Sequence, residues 1–292
     1  MEPIPVVFHI GPLQIHTYGI GLAITFWFAF RYLCRRLRNN GYSDGWMGST
    51  FVWVIVASIV GARIVHVVAN WNFYSHNLGD ILAIWHGGLS SFGGLALGGL
   101  VGAWRAKTSQ HEISLIKLLD LVAPVLMAAW ALGRLLGPQL MIAGGGRPTD
   151  QWYGMYYHGE IGKRIPAPIF QSIESFVVFL ILLKLEQYIV KHGGPNGLVI
   201  YGMFAFWGAA RFFDEFLWLD KNPPFDAVEV AGIVMSAVGF IAMAYLLRKF
   251  DPSSKIVNGA TSPQGATPRD DATPQGGETT HGANTPEAAE VD

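Results

Sequence analysis

The chain has 292 residues, of which 51% are hydrophobic and only 14% are charged, and the charges fall in short clusters between long apolar stretches. A soluble protein could not bury such stretches, so the composition predicts an all-α, polytopic integral membrane protein. The net charge of −1 argues against the broad cationic surface needed to bind nucleic acid, and a single cysteine, Cys34, excludes an intrachain disulfide or a thiolate metal cluster.

Seven apolar windows follow one another along the chain, and each approaches the ~20 residues that cross a ~30 Å hydrocarbon core. They predict a seven-span transmembrane domain over residues 1–250. In the third window, Gly94, Gly98 and Gly102 stand four residues apart, which predicts a face for close helix packing. The windows are Tyr18–Leu33, Trp46–Val68, Leu89–Trp104, Leu118–Leu140, Pro168–Ile189, Leu198–Phe216 and Val228–Leu247.

Basic residues between the windows predict the orientation, because lysine and arginine accumulate on the cytoplasmic side of a membrane. Eleven of them follow the first, third, fifth and seventh windows, against four in the opposite loops. We therefore expect the N-terminus outside and the C-terminus in the cytoplasm. The eleven are Arg31, Arg35, Arg36, Arg38, Arg105, Lys107, Lys117, Lys184, Lys191, Arg248 and Lys249, and the four are Arg147, Lys163, Arg164 and Lys221.

Residues 251–292 differ sharply from the rest, being rich in proline, threonine, alanine, glycine and acidic residues. Such a composition cannot bury enough apolar surface to offset its chain entropy. We predict a disordered cytoplasmic tail in this segment.

Three arginines lie inside the windows, where an ionisable side chain is costly and marks a candidate functional site. Arg63, Arg134 and Arg211 all lie toward the outer ends of their windows. Gathered in one cavity, three guanidinium groups would repel one another unless carboxylates or an anionic ligand joined them. Glu215, four residues after Arg211 on the same helix face, and Glu174 are candidate partners. Buried structural ion pairs are the alternative interpretation.

The most abundant anion at a membrane surface is the phosphate of its own lipids, so the arginines predict phospholipid headgroup chemistry. Tyr18 begins the first window, and a glycine-rich segment enters the third. In that segment, His86 is a candidate proton acceptor. Glycine pairs on both sides of Ser90 would let the backbone approach a ligand. These pairs are Gly87 with Gly88, and Gly93 with Gly94.

Short motifs occur in a fixed order along the windows. They are His16-Thr17-Tyr18-Gly19, Gly61-Ala62-Arg63, the Trp-x-Gly-Gly-x-Ser-x-x-Gly-Gly pattern from Trp85 to Gly94, Gly133-Arg134, Gly146-Arg147-Pro148-Thr149, Gln171-x-x-Glu174, and Arg211 with Glu215. In this order they resemble the prolipoprotein diacylglyceryl transferases, seven-span enzymes of the bacterial inner membrane, over about residues 5–250.

The resemblance implies that the diacylglyceryl group of phosphatidylglycerol is moved to the lipobox cysteine of a preprolipoprotein, with release of glycerol phosphate. It also implies that Arg134 and Arg211 hold the lipid phosphate, that Glu215 orients Arg211, and that Tyr18 lines the pocket. A loop from Ala143 to Ala167 is expected to cover part of the cavity. No cofactor is expected, because no residues stand at metal-ligand spacing and no nucleotide motif is present.

The chain departs from the family pattern at its hallmark segment, Gly-Arg-x-Gly-Asn-Phe-x-Asn-x-Glu. Here Leu135-Leu136-Gly137-Pro138-Gln139-Leu140 follows Gly133-Arg134, without the two asparagines and the glutamate. Phe92 replaces a histidine or tyrosine, and Trp207 a tyrosine. His86, Gln139 and Tyr18 are the candidates for the lost polar roles, and Arg147 is a further candidate for substrate binding.

Two other functions fit part of the pattern. A paralogue that binds anionic phospholipid without thiol transfer is favoured by the altered hallmark. A small-anion transporter would also bury arginines along its pathway. Against the transporter, the chain shows no repeated halves, and its arginines crowd toward one face of the membrane.

Overall fold

A computed structural model describes residues 7–10, 13–82, 88, 90–109, 113–137, 145–157, 160–218 and 227–250, with backbone alone for 7–18, 91, 92, 218 and 227. Seven long helices dominate these residues. They are α1 Thr17–Asn39, α2 Met47–Ala69, α4 Ser91–Ser109, α5 Leu115–Leu136, α6 Ala167–His192, α7 Leu198–Trp218 and α8 Ala227–Lys249. A short helix α3 (Trp71–Tyr74) and a 3₁₀ turn (Leu78–Leu82) lie between α2 and α4.

Each of the seven predicted windows coincides with one of these long helices, so the all-α membrane fold is confirmed. Among the described residues, four helices are long and apolar enough to cross a membrane: Met47–Ala69, Leu115–Leu136, Ala167–His192 and Val228–Lys249. Large apolar side chains remain exposed along the long helices, among them Trp27, Val68, Leu100 and Ile241. Such a surface is stable against lipid and would aggregate in water. The predicted tail, residues 251–292, lies outside the described residues.

Helices α2 and α4 pack along a stripe of small residues. A Cβ atom at Gly61 would strike the carbonyl oxygen of Gly93, and Gly94 lies against the carbonyl oxygen of Ser58. Further along, Gly98 packs on the Ser58 side chain, and Gly102 faces Val54. The predicted glycine packing face is therefore confirmed, and its partner is α2.

Four short strands complete the described structure. β1 (Val7–Ile10) pairs antiparallel with β2 (Leu13–His16), directly before α1. β3 (Met155–Tyr156) pairs antiparallel with β4 (Lys163–Arg164), and Pro148 bridges Arg164 on the other side of β4. We call residues 145–157 and 160–166 the ribbon. The Arg147 N–H donates to the carbonyl oxygen of Leu217 at 2.8 Å, which joins the ribbon to the end of α7.

At the end of the bundle opposite the ribbon, charged side chains join three helices. The guanidinium of Arg36 on α1 pairs with Glu186 on α6 at 2.8 Å and donates to the carbonyl oxygen of Leu121 on α5 at 2.9 Å. Because Arg36 is buried, this arrangement satisfies the guanidinium while it fixes three helices together.

Asp120 of α5 caps the start of α7, and we expect its removal to destabilise the bundle. Its carboxylate accepts hydrogen bonds from the backbone N–H of Gly197 at 2.6 Å and of Ile200 at 2.9 Å. Hydrogen bonds to a charged, buried acceptor are strong, so Asp120→Ala should lower the free energy of unfolding by about 2–3 kcal/mol. Denaturant titration in detergent micelles measures this. The exposed Asp150→Ala is the matched control, and equal stability of the two variants would contradict the capping role.

Candidate functional site

The ends of three helices bring the predicted charged residues together. Arg134 lies in the last turn of α5, Arg211 in the last two turns of α7, and Glu174 in the second turn of α6. Because α6 runs antiparallel to both neighbours, its start meets their ends. The contact is direct, since the Ser172 hydroxyl donates to the carbonyl oxygen of Ala131 at 2.8 Å.

Arg211 is held by two carboxylates of its own helix. Its Nη1 pairs with Asp214 at 2.8 Å, whereas its Nη2 lies 3.8 Å from Glu215. Asp214 is only 1% exposed, and Glu215 is also buried. The closer and more deeply buried partner is therefore Asp214, which the sequence analysis did not name. The i, i+3 spacing from Arg211 could have identified it, because three and four residues bring side chains together on a helix equally well.

Arg134 is held mainly by an aromatic ring. Its guanidinium lies over the Trp130 ring, 4.9 Å from the centroid, and the Trp130 ring meets the Trp207 ring edge-on at 4.9 Å. Within the described part of the chain it forms no ion pair. It nevertheless lies within electrostatic range of Arg211 and of the carboxyl groups of Asp214 and Glu174. This guanidinium has its hydrogen-bond donors available for an anion.

Several buried polar atoms around the two arginines have no hydrogen-bond partner among the described residues. Both amide atoms of Gln171, which is 1% exposed, and the Ser175 hydroxyl lie on the same face of α6 as Glu174. The indole N–H of Trp207 adds to the set, whereas the buried carboxyl groups of Glu174 and Asp214 share a hydrogen bond with each other. Buried polar groups are almost always satisfied, so this cluster is suited to a polar ligand. We call Arg134, Gln171, Glu174, Trp207, Arg211, Asp214 and Glu215 the arginine cluster.

Comparison with known proteins identifies the family of the chain. The family model described as prolipoprotein diacylglyceryl transferase matches residues 5–247. The chain belongs to the prolipoprotein diacylglyceryl transferase family. A phosphatidylglycerol–prolipoprotein diacylglyceryl transferase of Lysinibacillus sphaericus is 24% identical, covering 87% of this chain and 96% of the relative. A transferase of the same name from Fervidobacterium nodosum is 29% identical, covering 83% of this chain and 85% of the relative. One from Listeria monocytogenes is 26% identical, covering 85% of this chain and 91% of the relative.

Family membership confirms the resemblance, but Arg63 makes contacts that the resemblance did not predict. Its guanidinium donates to the backbone carbonyl oxygens of Ile81 at 2.8 Å, Gly88 at 2.9 Å and Asp80, and it lies over the Tyr74 ring at 5.3 Å. These contacts hold the segment between α3 and α4 in place. They give no support to the prediction that Arg63 joins the other two arginines at one anion.

We expect Arg63→Ala to act on stability more than on lipid binding. It removes the donors to three carbonyl groups, so the free energy of unfolding should fall by about 2–4 kcal/mol. Proteolysis between residues 70 and 82 should become faster. Lipid affinity per folded molecule should stay within about threefold of wild type, because the guanidinium contacts the backbone of residues 80–88 and not the arginine cluster. Exposed Arg35→Ala is the control. Unchanged stability with a loss of lipid affinity would show that Arg63 binds substrate.

The glycine-rich segment is described only in part. Gly88 adopts φ +75°, and a Cβ atom there would strike the His66 ring, so the position requires glycine. The Ser90 N–H donates to the carbonyl oxygen of Ala62 at 3.0 Å. With Gly93 and Gly94 packed on α2, the described contacts of this segment are with α2. A role of these residues in substrate binding stays a prediction.

Other predicted site residues fall outside what the structure describes or outside the cluster. His86, Gly87 and Gln139 lie outside the described residues, and Tyr18 is described by its backbone alone, in the first turn of α1. Arg147 is exposed on the ribbon.

The ribbon has a small polar core of its own. Arg164 pairs with Glu160 at 2.5 Å, and Tyr157 is buried beside them. Burial, with a smaller contribution from the negative charge of Glu160, raises the pKa of Tyr157 to about 12. Tyr157 therefore stays a protonated phenol at neutral pH and can donate a hydrogen bond, but it is not a base.

Proposed function

We propose that this protein transfers the diacylglyceryl group of phosphatidylglycerol to the lipobox cysteine thiol of preprolipoproteins, the first step of lipoprotein maturation in the bacterial inner membrane. The observation that carries the proposal is the arginine cluster, buried between the ends of three apolar helices in a chain of this family. The relatives named above are phosphatidylglycerol–prolipoprotein diacylglyceryl transferases.

The proposed reaction is a displacement at carbon. The cysteine sulfur forms a bond to the glyceryl carbon of the lipid, and the bond between that carbon and the phosphate oxygen breaks. The oxygen keeps the electron pair and leaves as glycerol phosphate, while the thiol proton passes to a base or to water. Because negative charge grows on the departing phosphate, the guanidinium groups of Arg134 and Arg211 would stabilise the transition state more than the ground state.

The carboxylates have a different proposed task. Asp214 and Glu215 hold the guanidinium of Arg211 in one orientation, and they balance part of the positive charge before lipid arrives. Gln171, Ser175 and Trp207 offer hydrogen bonds to the polar parts of the headgroup. His86 remains the proposed proton acceptor, Tyr18 and Gln139 are proposed to line the pocket, and Arg147 to meet substrate at its rim.

The proposed orientation has the N-terminus outside and the C-terminus in the cytoplasm. Basic residues occupy the last turns of α1, α4, α6 and α8, which favours the cytoplasm for these ends. The arginine cluster lies at the opposite end of α6, so the proposed orientation puts it at the outer leaflet. Phosphatidylglycerol of that leaflet and the lipobox segment are the proposed substrates.

A transfer assay in bilayers tests the proposal. Purified protein in vesicles receives phosphatidylglycerol labelled in its acyl chains and a lipobox peptide, and the label should appear on the peptide. The same peptide with serine in place of cysteine should remain unlabelled, because the hydroxyl is a far weaker nucleophile than the thiolate. The altered hallmark segment supplies the one competing candidate, a lipid-binding paralogue. Saturable lipid binding without any transfer to the cysteine peptide would favour that paralogue and contradict our proposal.

A further inference from the structure

The ribbon exposes apolar side chains that no described residue covers. Trp152 is 88% exposed and Ile161 is 94% exposed, and Tyr153 and Tyr156 are also exposed. Tryptophan is rarely left in water to this extent, since burying it is strongly favourable. In membrane proteins, exposed tryptophan and tyrosine concentrate at the level of the lipid headgroups.

These side chains continue a surface that faces lipid. The Trp152 ring meets the Tyr153 ring edge-on at 5.8 Å, and Tyr153 meets Phe170 of α6 edge-on at 6.1 Å. From Phe170, exposed apolar residues follow down the same helix at Ile173 and Val177. Because α6 is apolar enough to cross the membrane, this row is the face that it presents to lipid. The aromatic side chains of the ribbon therefore extend the lipid-facing surface past the end of the helix.

The ribbon is fixed in its position. The Arg147 N–H donates to the carbonyl oxygen of Leu217 at the end of α7, which joins the ribbon to the bundle. A Cβ atom at Gly146 would strike the Leu217 carbonyl, so backbone meets backbone at this contact. The exposed side chains consequently stay at the level where the helices leave the bilayer.

Charges beside the apolar side chains match those of a membrane surface. Tyr153 and Ile161 line an open cavity of about 630 Å³ together with Arg147 and Lys163, and Asp150 is the one carboxylate in its lining. Basic residues next to interfacial apolar residues are attracted to anionic headgroups.

We infer that the ribbon is a membrane-surface anchor, in which Trp152, Tyr153 and Ile161 insert into the headgroup region of the outer leaflet and Arg147 and Lys163 bind anionic headgroups beside them. The anchor holds the ribbon next to the arginine cluster, because both adjoin the end of α7. Its occupant is the lipid surface itself, and Arg147 is the residue that the anchor shares with the proposed substrate site.

Site-directed fluorescence tests the anchor. The native cysteine is first removed as Cys34→Ala. A single cysteine is then introduced as Trp152→Cys or Ile161→Cys, and Asp150→Cys, two residues before Trp152, is the matched control. Each is labelled with an environment-sensitive dye in vesicles that contain phosphatidylglycerol. For the dye at positions 152 and 161, we expect blue-shifted emission and quenching by lipid that carries a shallow nitroxide label. Aqueous iodide should quench the dye about threefold less at these positions than at position 150, because both lie at the level of the headgroups.

The outcomes separate the anchor from other occupants. Iodide quenching at 152 and 161 equal to that at 150 would place these side chains in water and overturn the inference. Protection that arises only after a lipobox peptide is added would overturn it too, because the surface would then bind the peptide. Protection of the dye from iodide quenching should weaken in vesicles of zwitterionic lipid alone. It should also weaken when Arg147→Gln and Lys163→Gln are combined in one protein. None of these readings requires turnover, so an inactive protein would leave the test intact.

Discussion

Arg134→Ala should lower kcat/KM for diacylglyceryl transfer by roughly 100-fold or more, as expected when one preorganised donor to a developing anion is lost. The guanidinium lies over Trp130 and forms no ion pair with the residues that the structure describes. Its removal therefore breaks no buried ion pair, and the fold should persist. Labelled transfer to a lipobox peptide measures the effect, with thermal unfolding of the same samples as the check on folding.

Two variants sharpen the result. Arg31→Ala removes an exposed arginine near the other end of a long helix and should leave kcat/KM within about twofold of wild type, since surface positions away from the site cost little. Arg134→Lys keeps the charge but loses the planar fork, and should recover only part of the activity. Full activity of Arg134→Ala in a folded protein would remove this arginine from the proposed site.

Asp214→Asn should reduce transfer by about 10- to 100-fold, the rate equivalent of one charge-assisted hydrogen bond. The substitution keeps the size of the side chain but removes the charge that lies 2.8 Å from Arg211. Glu215→Gln should reduce transfer by less than about fivefold, because a pair at 3.8 Å orients the guanidinium weakly. The reduction should appear in kcat more than in KM, since the orientation of Arg211 matters most as the phosphate departs.

The comparison of the two carboxylates separates two assignments. The resemblance to the family implies that Glu215 orients Arg211, whereas the structure gives the shorter contact to Asp214. Asp214→Glu should restore part of the rate lost in Asp214→Asn, because it restores the negative charge. If Asp214 had only a structural role, restoring the charge would not restore the rate. A larger loss in Glu215→Gln than in Asp214→Asn, at equal stability, would favour the assignment that the resemblance implies.

The sequence predicted helix positions well because apolar length is a local property. Seven windows correspond to seven helices, and the four-residue glycine spacing correctly predicted the packing face between α2 and α4. Arg134, Arg211 and Glu174 were also placed correctly toward one end, since depth along a helix follows from position in the chain.

What could not be predicted depends on the direction of a side chain and on its neighbours. Arg63 lies at a depth similar to the other arginines, yet it turns to the carbonyl groups of its own connecting segment. Asp214 and Glu215 are both at helical spacing from Arg211, so only the structure ranks them. Trp130 lies four residues before Arg134 on α5, so helical spacing allows the contact, but only the structure shows that the guanidinium takes the ring as its partner.

The glycine contact between α2 and α4 has a consequence for how a two-chain lipid reaches the arginine cluster. Where Gly61 meets Gly93, the two helices touch backbone to backbone, with no side chain that could rotate away. Parting these helices would give up close packing along several turns, and this packing is what holds small-residue helix pairs together in a membrane. We therefore expect the pair to move as one rigid body during turnover, with acyl chains entering and leaving through a different seam of the bundle.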